Sequence, residues 1–159
     1  MSTIEEASDA DAEGIAAVFA PYVTDSVFTF ETTPPTADQW RAKISELPFL
    51  VLRGTKVDGF AYASPWRPKP AYRHTVETTI YLAPEAAGHG HGRRLLDELL
   101  ERCAKAGARQ AIAVVVDSGN PASRNLHRAA GFTDVGVLRR VGFKHGRWLD
   151  TLLMQRELG

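Results

Sequence analysis

Three glycines at alternate positions, Gly88-His-Gly90-His-Gly92, stand between an extended run and a helical one, and no other feature constrains the chain as much. The run Thr75-Val-Glu-Thr-Thr-Ile-Tyr-Leu82 is rich in β-branched and aromatic residues, which favours a strand. Leu95, Leu96, Leu99, Leu100 and Cys103 recur at helical spacing, so an amphipathic helix follows the turn. The glycines let the connecting backbone curl, with successive N–H groups exposed where the helix begins. Those N–H groups and the positive helix end converge on one spot, which suits it to hold an anion. Arg93 and Arg94 add charge there. Neither the Walker pattern nor Gly-x-Gly-x-x-Gly is present, and a flexible strand–helix connection is the plain alternative.

The charge distribution bears on the same turn. Lys+Arg and Asp+Glu both number 19, so the formal net charge is zero. Residues 1–86 nevertheless carry 12 acids and 7 bases, whereas residues 87–148 carry 5 acids and 11 bases. The basic segment therefore begins at the glycine-rich turn. A neutral total argues against a generic nucleic-acid binder, and the basic cluster of Arg139-Arg140 and Lys144-His145 has no interleaved aromatic platform. At 159 residues with 44% apolar content, the chain suits a single domain spanning 1–159 with a sizeable core. Cys103 is the only cysteine, which excludes an internal disulfide and a cysteine-type zinc site. The N-terminus lacks the pattern of a signal peptide, and no apolar run is long enough to span a bilayer, so a cytoplasmic protein is expected.

The remaining elements follow from periodicity and punctuation. Ile4–Ala7 is a short strand. Residues 9–22 form a helix on Ile15, Val18, Phe19 and Tyr22, and Thr36-Ala-Asp-Gln39 reads as a capping box ahead of Trp40, Ile44 and Leu47. Strands are expected at 49–53, 57–64, 72–82, 110–117, 132–141 and 148–157, with a helix at 121–129. Antiparallel hairpins then flank one parallel crossover, which makes the fold class α+β (mixed α/β), a layered sheet.

Glu77 is the only acid in its uncharged strand run. Strand alternation puts it on one face with Thr75, Thr79 and Tyr81, and puts Val76, Thr78, Ile80 and Leu82 on the other. A carboxylate within reach of an ammonium group accepts the proton that must leave before nitrogen can attack an acyl group; a solvated surface acid is the bland alternative. Arg67 and Arg73 flank the turn before this strand, and guanidinium groups grip carboxylates and phosphinates in bidentate fashion. Phe28, Phe30 and Tyr62 wall a pocket or belong to the core. Asn120, Ser123 and His127 stand at near-helical spacing, with capping by Asn120 before Pro121 as the structural alternative. His89-x-His91 lacks further ligands at recognisable spacing, so no metal is expected.

Strand, glycine-rich turn and helix, followed by Asn120…Ser123…His127…Gly131-Phe132, resemble the GNAT N-acetyltransferases. The family's turn, Arg/Gln-x-x-Gly-x-Gly/Ala, corresponds to Ala87-Gly-His-Gly90-His-Gly92, with Ala87 where Arg or Gln is usual and His91 where an apolar residue is common. Thr75–Leu82, Ser118-Gly-Asn120, Leu126-His127 and Gly142-Phe-Lys-His-Gly-Arg-Trp-Leu-Asp-Thr151 narrow the likeness to the phosphinothricin acetyltransferase subfamily. Phe30-Glu31, Pro34-Pro35, Trp66-Arg67 and Arg73 fit it too.

The resemblance implies a sheet of six or seven strands, splayed between the fourth and fifth, with about four helices. It implies acetyl-CoA as cosubstrate and no metal. The coenzyme pyrophosphate would lie on Gly88, His89, Gly90, His91, Gly92 and Arg93, and the pantetheine arm along Ile80, Tyr81 and Leu82, beside Asn120 and Ser123. A backbone N–H near Leu82 would polarise the thioester carbonyl. Glu77 matches the family's general base, and His127 is a general acid or a polar contact near the thioester. Phe30, Arg67, Pro68, Lys69, Arg73, Thr78 and Thr79 would surround the acceptor: phosphinothricin, methionine sulfoximine or methionine sulfone. A homodimer is implied, without nucleic-acid or membrane partners. Acetylation of another small amine or a peptide, and a non-catalytic coenzyme A sensor, remain as alternatives.

Overall fold

Glycine, proline and capping residues set the element boundaries in the computed structural model, which describes residues 2–44 and 47–159. Strand β1 (Thr3–Glu6) is followed by a 3₁₀ turn at Asp9–Asp11 and helix α1 (Ala12–Asp25). Asp11 causes that break from the single helix expected over 9–22, because its carboxylate accepts the Ser8 N–H at 2.9 Å. The helix also outruns its expected end, carrying Pro21 inside it, since Phe19 and Val23 keep its apolar face in the core.

Helix α2 (Ala37–Ile44) opens on the expected capping box. The Thr36 N–H donates to Gln39 Oε1 at 2.8 Å, and the Gln39 N–H to Thr36 Oγ1 at 3.2 Å. The stretch joining Ile44 to Leu47 lies outside the described residues, so the last position of the expected stripe is not assigned to this helix. Strands β2 (Phe49–Arg53) and β3 (Val57–Pro65) form a hairpin, and a 3₁₀ turn at Pro70–Tyr72 precedes β4 (Thr75–Leu82). Pro70 at the start of that turn is why β4 begins at Thr75 rather than at Tyr72.

Helix α3 (His91–Lys105), β5 (Gln110–Val116), α4 (Ala122–Ala129), β6 (Thr133–Lys144) and β7 (Arg147–Glu157) complete the chain. The last two strands reach further toward each other than the sequence suggested. His145 and Gly146 both adopt positive φ, 50° and 72°, and make the hairpin turn very tight.

The sheet order is β1-β2-β3-β4-β5-β7-β6, and β4·β5 is its parallel pair. Seven strands and four α-helices among the described residues agree with the mixed, layered architecture. Alternation along each strand divides the core in two. Leu50 and Leu52 of β2 face a cluster with Leu95, Leu96 and Leu99 of α3. Phe49 and Val51 face the opposite cluster, with Ile15 and Phe19 of α1 and Trp40 of α2. On β4, Ile80 and Leu82 pack toward α3, and Tyr81 packs toward α1.

Candidate active site

Parallel pairing of β4 with β5 lasts for three positions, from Thr75↔Gln110 to Glu77↔Ile112. Beyond Glu77 the strands part. β4 keeps its ladder with β3 as far as Leu82↔Gly59, and β5 keeps its ladder with β7 as far as Val116↔Thr151. The facing edges of Thr78–Leu82 and Ala113–Val116 therefore have no strand partner. A cavity of about 580 Å³ opens along this split, reaching from α1 and α2 on one side to α4 on the other.

Glu77 stands at the vertex, half-buried, where β4 leaves β5. Burial pushes its carboxyl above the ordinary glutamate value of 4.5, and the positive charges of Arg67 and then Lys43 pull it part of the way back. A carboxylate held nearer neutrality is better matched to accepting a proton at pH 7. The strand also brings Thr78, Thr79, Ile80, Tyr81 and Leu82 into the cavity wall, together with Phe30. Thr78 and Thr151 are buried in this wall, and their hydroxyl oxygens have no protein partner among the described residues. Tyr81 is not a base at neutral pH, because burial raises its phenol to about 12.

Asn120, Ser123 and His127 line the α4 side of the same cavity. Asn120 stands just before Pro121, the N-cap residue of α4, and its Oδ1 accepts the Ala122 N–H at 3.0 Å. His127 is buried, with Nδ1 at 2.7 Å from the Ser123 carbonyl oxygen and its ring edge-on to Phe132. Desolvation lowers its pKa below 6.5 against the opposing pull of that carbonyl.

The glycine-rich turn abuts the cavity through Ala87. Gly88 and Gly90 take φ of 80° and 79°, and Gly90 is the N-cap of α3 with no side chain capping the helix. A Cβ at either glycine would meet nothing within 4 Å, so their role is conformational and they leave the surface in front of the turn open. Gly92 is buried, and Arg94 Nη1 lies 3.3 Å from His91 Nδ1 beside exposed His89. Arg93 holds Asp97 at 2.9 Å, so its side-chain charge is partly spent within the helix, while its backbone N–H remains in the first turn.

The segment 67–73 is not in the cavity wall. Arg67 stacks over the Trp66 ring at 4.0 Å, close enough for its field to reach Glu77. Pro68 and Lys69 are exposed, and Arg73 Nη1 turns back to the Pro70 carbonyl at 3.5 Å. In their place α2 supplies Lys43, whose ammonium lies 5.5 Å from the centre of the Tyr62 ring and which lines the cavity with Glu77. Sequence reasoning missed Lys43; its one signal was the spacing of three from Trp40, which turns both toward the same face. A second cavity of about 610 Å³ lies by β1 and the C-terminal half of α3, where Arg102 is already paired with Glu6 and Glu98 at 2.9 and 3.1 Å. Among the described residues no group of three or more His, Cys, Asp or Glu side chains is placed to hold a metal ion, and no helix is long and apolar enough to cross a membrane.

A mixed sheet parted at its middle, with an uncapped glycine-rich helix start beside the parting, offers an open strand edge next to an anion-binding turn. Residues 15–132 match the acetyltransferase (GNAT) family, and the chain belongs to it. Among its relatives, a phosphinothricin N-acetyltransferase from Alcaligenes faecalis is 47% identical over 162 residues, covering 98% of this chain and 82% of that protein. An L-methionine sulfoximine/L-methionine sulfone acetyltransferase from Pseudomonas paraeruginosa is 36% identical over 165 residues, covering 99% and 95%. The crystal structure of a phosphinothricin acetyltransferase from Sinorhizobium meliloti, in complex with acetyl-CoA, superposes with a TM-score of 0.93 at 44% identity and covers 99% of this chain and 89% of that one.

Proposed function

We propose that this protein transfers the acetyl group of acetyl-CoA to the α-amine of a small amino-acid analogue of the phosphinothricin, methionine sulfoximine or methionine sulfone type. The observation that carries the reading is the position of Glu77, a carboxyl with a raised pKa at the vertex of the split, facing a closed-ended cavity. The names of the two curated relatives support the acceptor class.

The residues present fit the coenzyme. The uncapped first turn of α3, from Gly88 to Arg93, offers N–H groups to its pyrophosphate. The unpaired edge at Ile80–Leu82 suits the amides of its arm, with Asn120 and Ser123 opposite. What the bound coenzyme supplies is an acetyl group activated as a thioester. Glu77 would take a proton from the acceptor ammonium and the freed amine would attack the thioester carbonyl; as the C–S bond breaks, the proton still carried by nitrogen would pass to the departing thiolate. Cys103 has no part in this, since it is buried and its thiol is raised to about 11. Lys43 inside the cavity and Arg67, whose charge acts on Glu77, attract the acceptor's carboxylate; Phe30, Thr78 and Thr79 shape the rest. His127 makes a polar contact close to the thioester.

The chain acts as one domain over 1–159, in the cytoplasm, as a homodimer. The dimer is supported by an apolar strip on β6 and β7, where Val135, Val137, Val141, Phe143 and Trp148 are all exposed.

Thiol release from acetyl-CoA with a panel of amines tests the reading. Turnover with phosphinothricin or methionine sulfoximine is expected, and Glu77→Gln lowers kcat about 10²- to 10⁴-fold. Turnover of peptides alone overturns the acceptor assignment. Coenzyme binding without turnover of any amine points instead to a sensor.

A further inference from the structure

Lys144 is a buried ammonium group that the proposed chemistry does not use. It is 5% exposed, and its Nζ donates to the Thr29 carbonyl at 2.8 Å and to the Tyr22 carbonyl at 3.4 Å. Tyr22 lies in the last turn of α1, where the negative helix end favours a cation, and its carbonyl also accepts the Ser26 hydroxyl at 2.8 Å. Two residues earlier on β6, Gly142 faces the same way. A Cβ there would fall 2.2 Å from Phe30 Cζ and 2.3 Å from Cε2, so the Phe30 ring lies directly on the strand's backbone. Neither Gly142 nor Lys144 lines the cavity, whereas Phe28, Thr29, Phe30 and Glu31 all do.

We propose that Gly142 and Lys144 are positioning residues, a seat on β6 that fixes the segment 28–31 and so sets the shape of the acceptor end of the cavity. Glycine at the first position admits the Phe30 ring, and lysine at the second holds the Thr29 backbone to the end of α1. An alternation of two on one strand puts both devices under one loop, which gives the Gly-x-Lys spacing a physical reason. An apolar residue of equal length would fill the Lys144 site without the cost of burying a charge, so the charge is kept for the two carbonyls it holds. The inference rests on the proposed acetyl transfer for its kinetic consequence, and on geometry alone for the seat.

The test measures wild type, Lys144→Met, Gly142→Ala, Phe30→Ala and the Gly142→Ala/Phe30→Ala double variant, with acetyl-CoA and the acceptor varied separately. Lys144→Met is expected to raise the acceptor KM about tenfold, with kcat and the KM for acetyl-CoA within about twofold of wild type. Gly142→Ala is expected to raise the acceptor KM as well, and to add nothing once Phe30 has been removed. A fall in kcat alone, an equal rise in both KM values, or additive effects of Gly142→Ala and Phe30→Ala would overturn the proposal. If Lys144→Met does not fold, the Gly142/Phe30 cycle decides by itself. Hydrogen exchange at the Thr29 and Glu31 amides separates the seat from the chemistry: faster exchange in the variants than in wild type supports the seat even if no amine is acetylated, and unchanged exchange overturns it.

Discussion

The Nδ1 atom of His127 sits 2.7 Å from the carbonyl oxygen of Ser123, one turn earlier in α4. A carbonyl only accepts, so in the neutral ring the proton is on Nδ1 and Nε2 presents a lone pair. Burial favours that neutral ring. The side chain is thus arranged to accept a hydrogen bond inside the cavity, and donation from Nε2 requires the imidazolium that burial disfavours.

The protonation state of His127 is directly observable. Proton–nitrogen correlation spectra at pH 7 are expected to show the Nδ1–H tautomer, with the charged ring emerging only below the ordinary histidine value of 6.5. In the window between the lowered folded value and 6.5 the unfolded chain binds more protons, so the contribution of His127 to stability is present above that window and is lost as pH falls through it. Urea midpoints for wild type and His127→Phe should converge as the solution is acidified, and parallel curves would contradict the assignment.

Rate profiles across the acid-to-neutral range report on Glu77. Activity is expected to fall as its carboxyl becomes protonated, with a midpoint above 4.5 because burial dominates. Arg67 and Lys43 both lower that carboxyl's pKa, so Arg67→Ala and Lys43→Ala each move the acid limb to higher pH, with Arg67 having the greater effect. An unmoved limb in both variants would exclude Glu77 as the titrating base.

Gly90 takes a backbone conformation that costs a residue with a Cβ about 1–2 kcal/mol, and nothing nearby would clash with the added atom. Gly90→Ala is therefore expected to lower stability by about that amount in denaturant titrations. Relaxation of the turn should raise the KM for acetyl-CoA and leave the acceptor KM unchanged.

Trp148 is 67% exposed and pairs across the hairpin with Phe143, ring centroids 4.8 Å apart. Trp148→Glu introduces charge into the apolar strip. Sedimentation is expected to show a dimer for wild type and a monomer for the variant.

Local chemistry made much of the architecture legible. The Thr36–Gln39 capping box, the alternation along Thr75–Leu82 and the glycine-rich helix start are short-range patterns, and each is where it was expected. The residues that surround Glu77 were harder to recognise. Arg67 was singled out for its charge, yet it lies outside the cavity wall, in an exposed segment that Pro68 and Pro70 carry along the surface. Lys43 comes from α2, and its spacing from Trp40 records only which face of that helix it shares, not that the face approaches β4. The longer β6–β7 hairpin was hidden for a different reason, since it depends on His145 adopting a left-handed conformation that side chains other than glycine rarely take.

The parting of β4 and β5 also acts as a ruler. Its two rails are sheet edges enclosed within the molecule, sheltered by helices from the strand-to-strand pairing that exposed edges invite. The three pairs that persist at Thr75–Glu77 close one end. From Leu82 back to that closure the groove runs about 16 Å, at 3.3 Å per residue. A slender guest laid along it halts beside Glu77 because the groove ends there. On the proposed chemistry, the depth of that end, set by the number of pairs that remain zipped, would set where along the groove the acetyl group meets the amine.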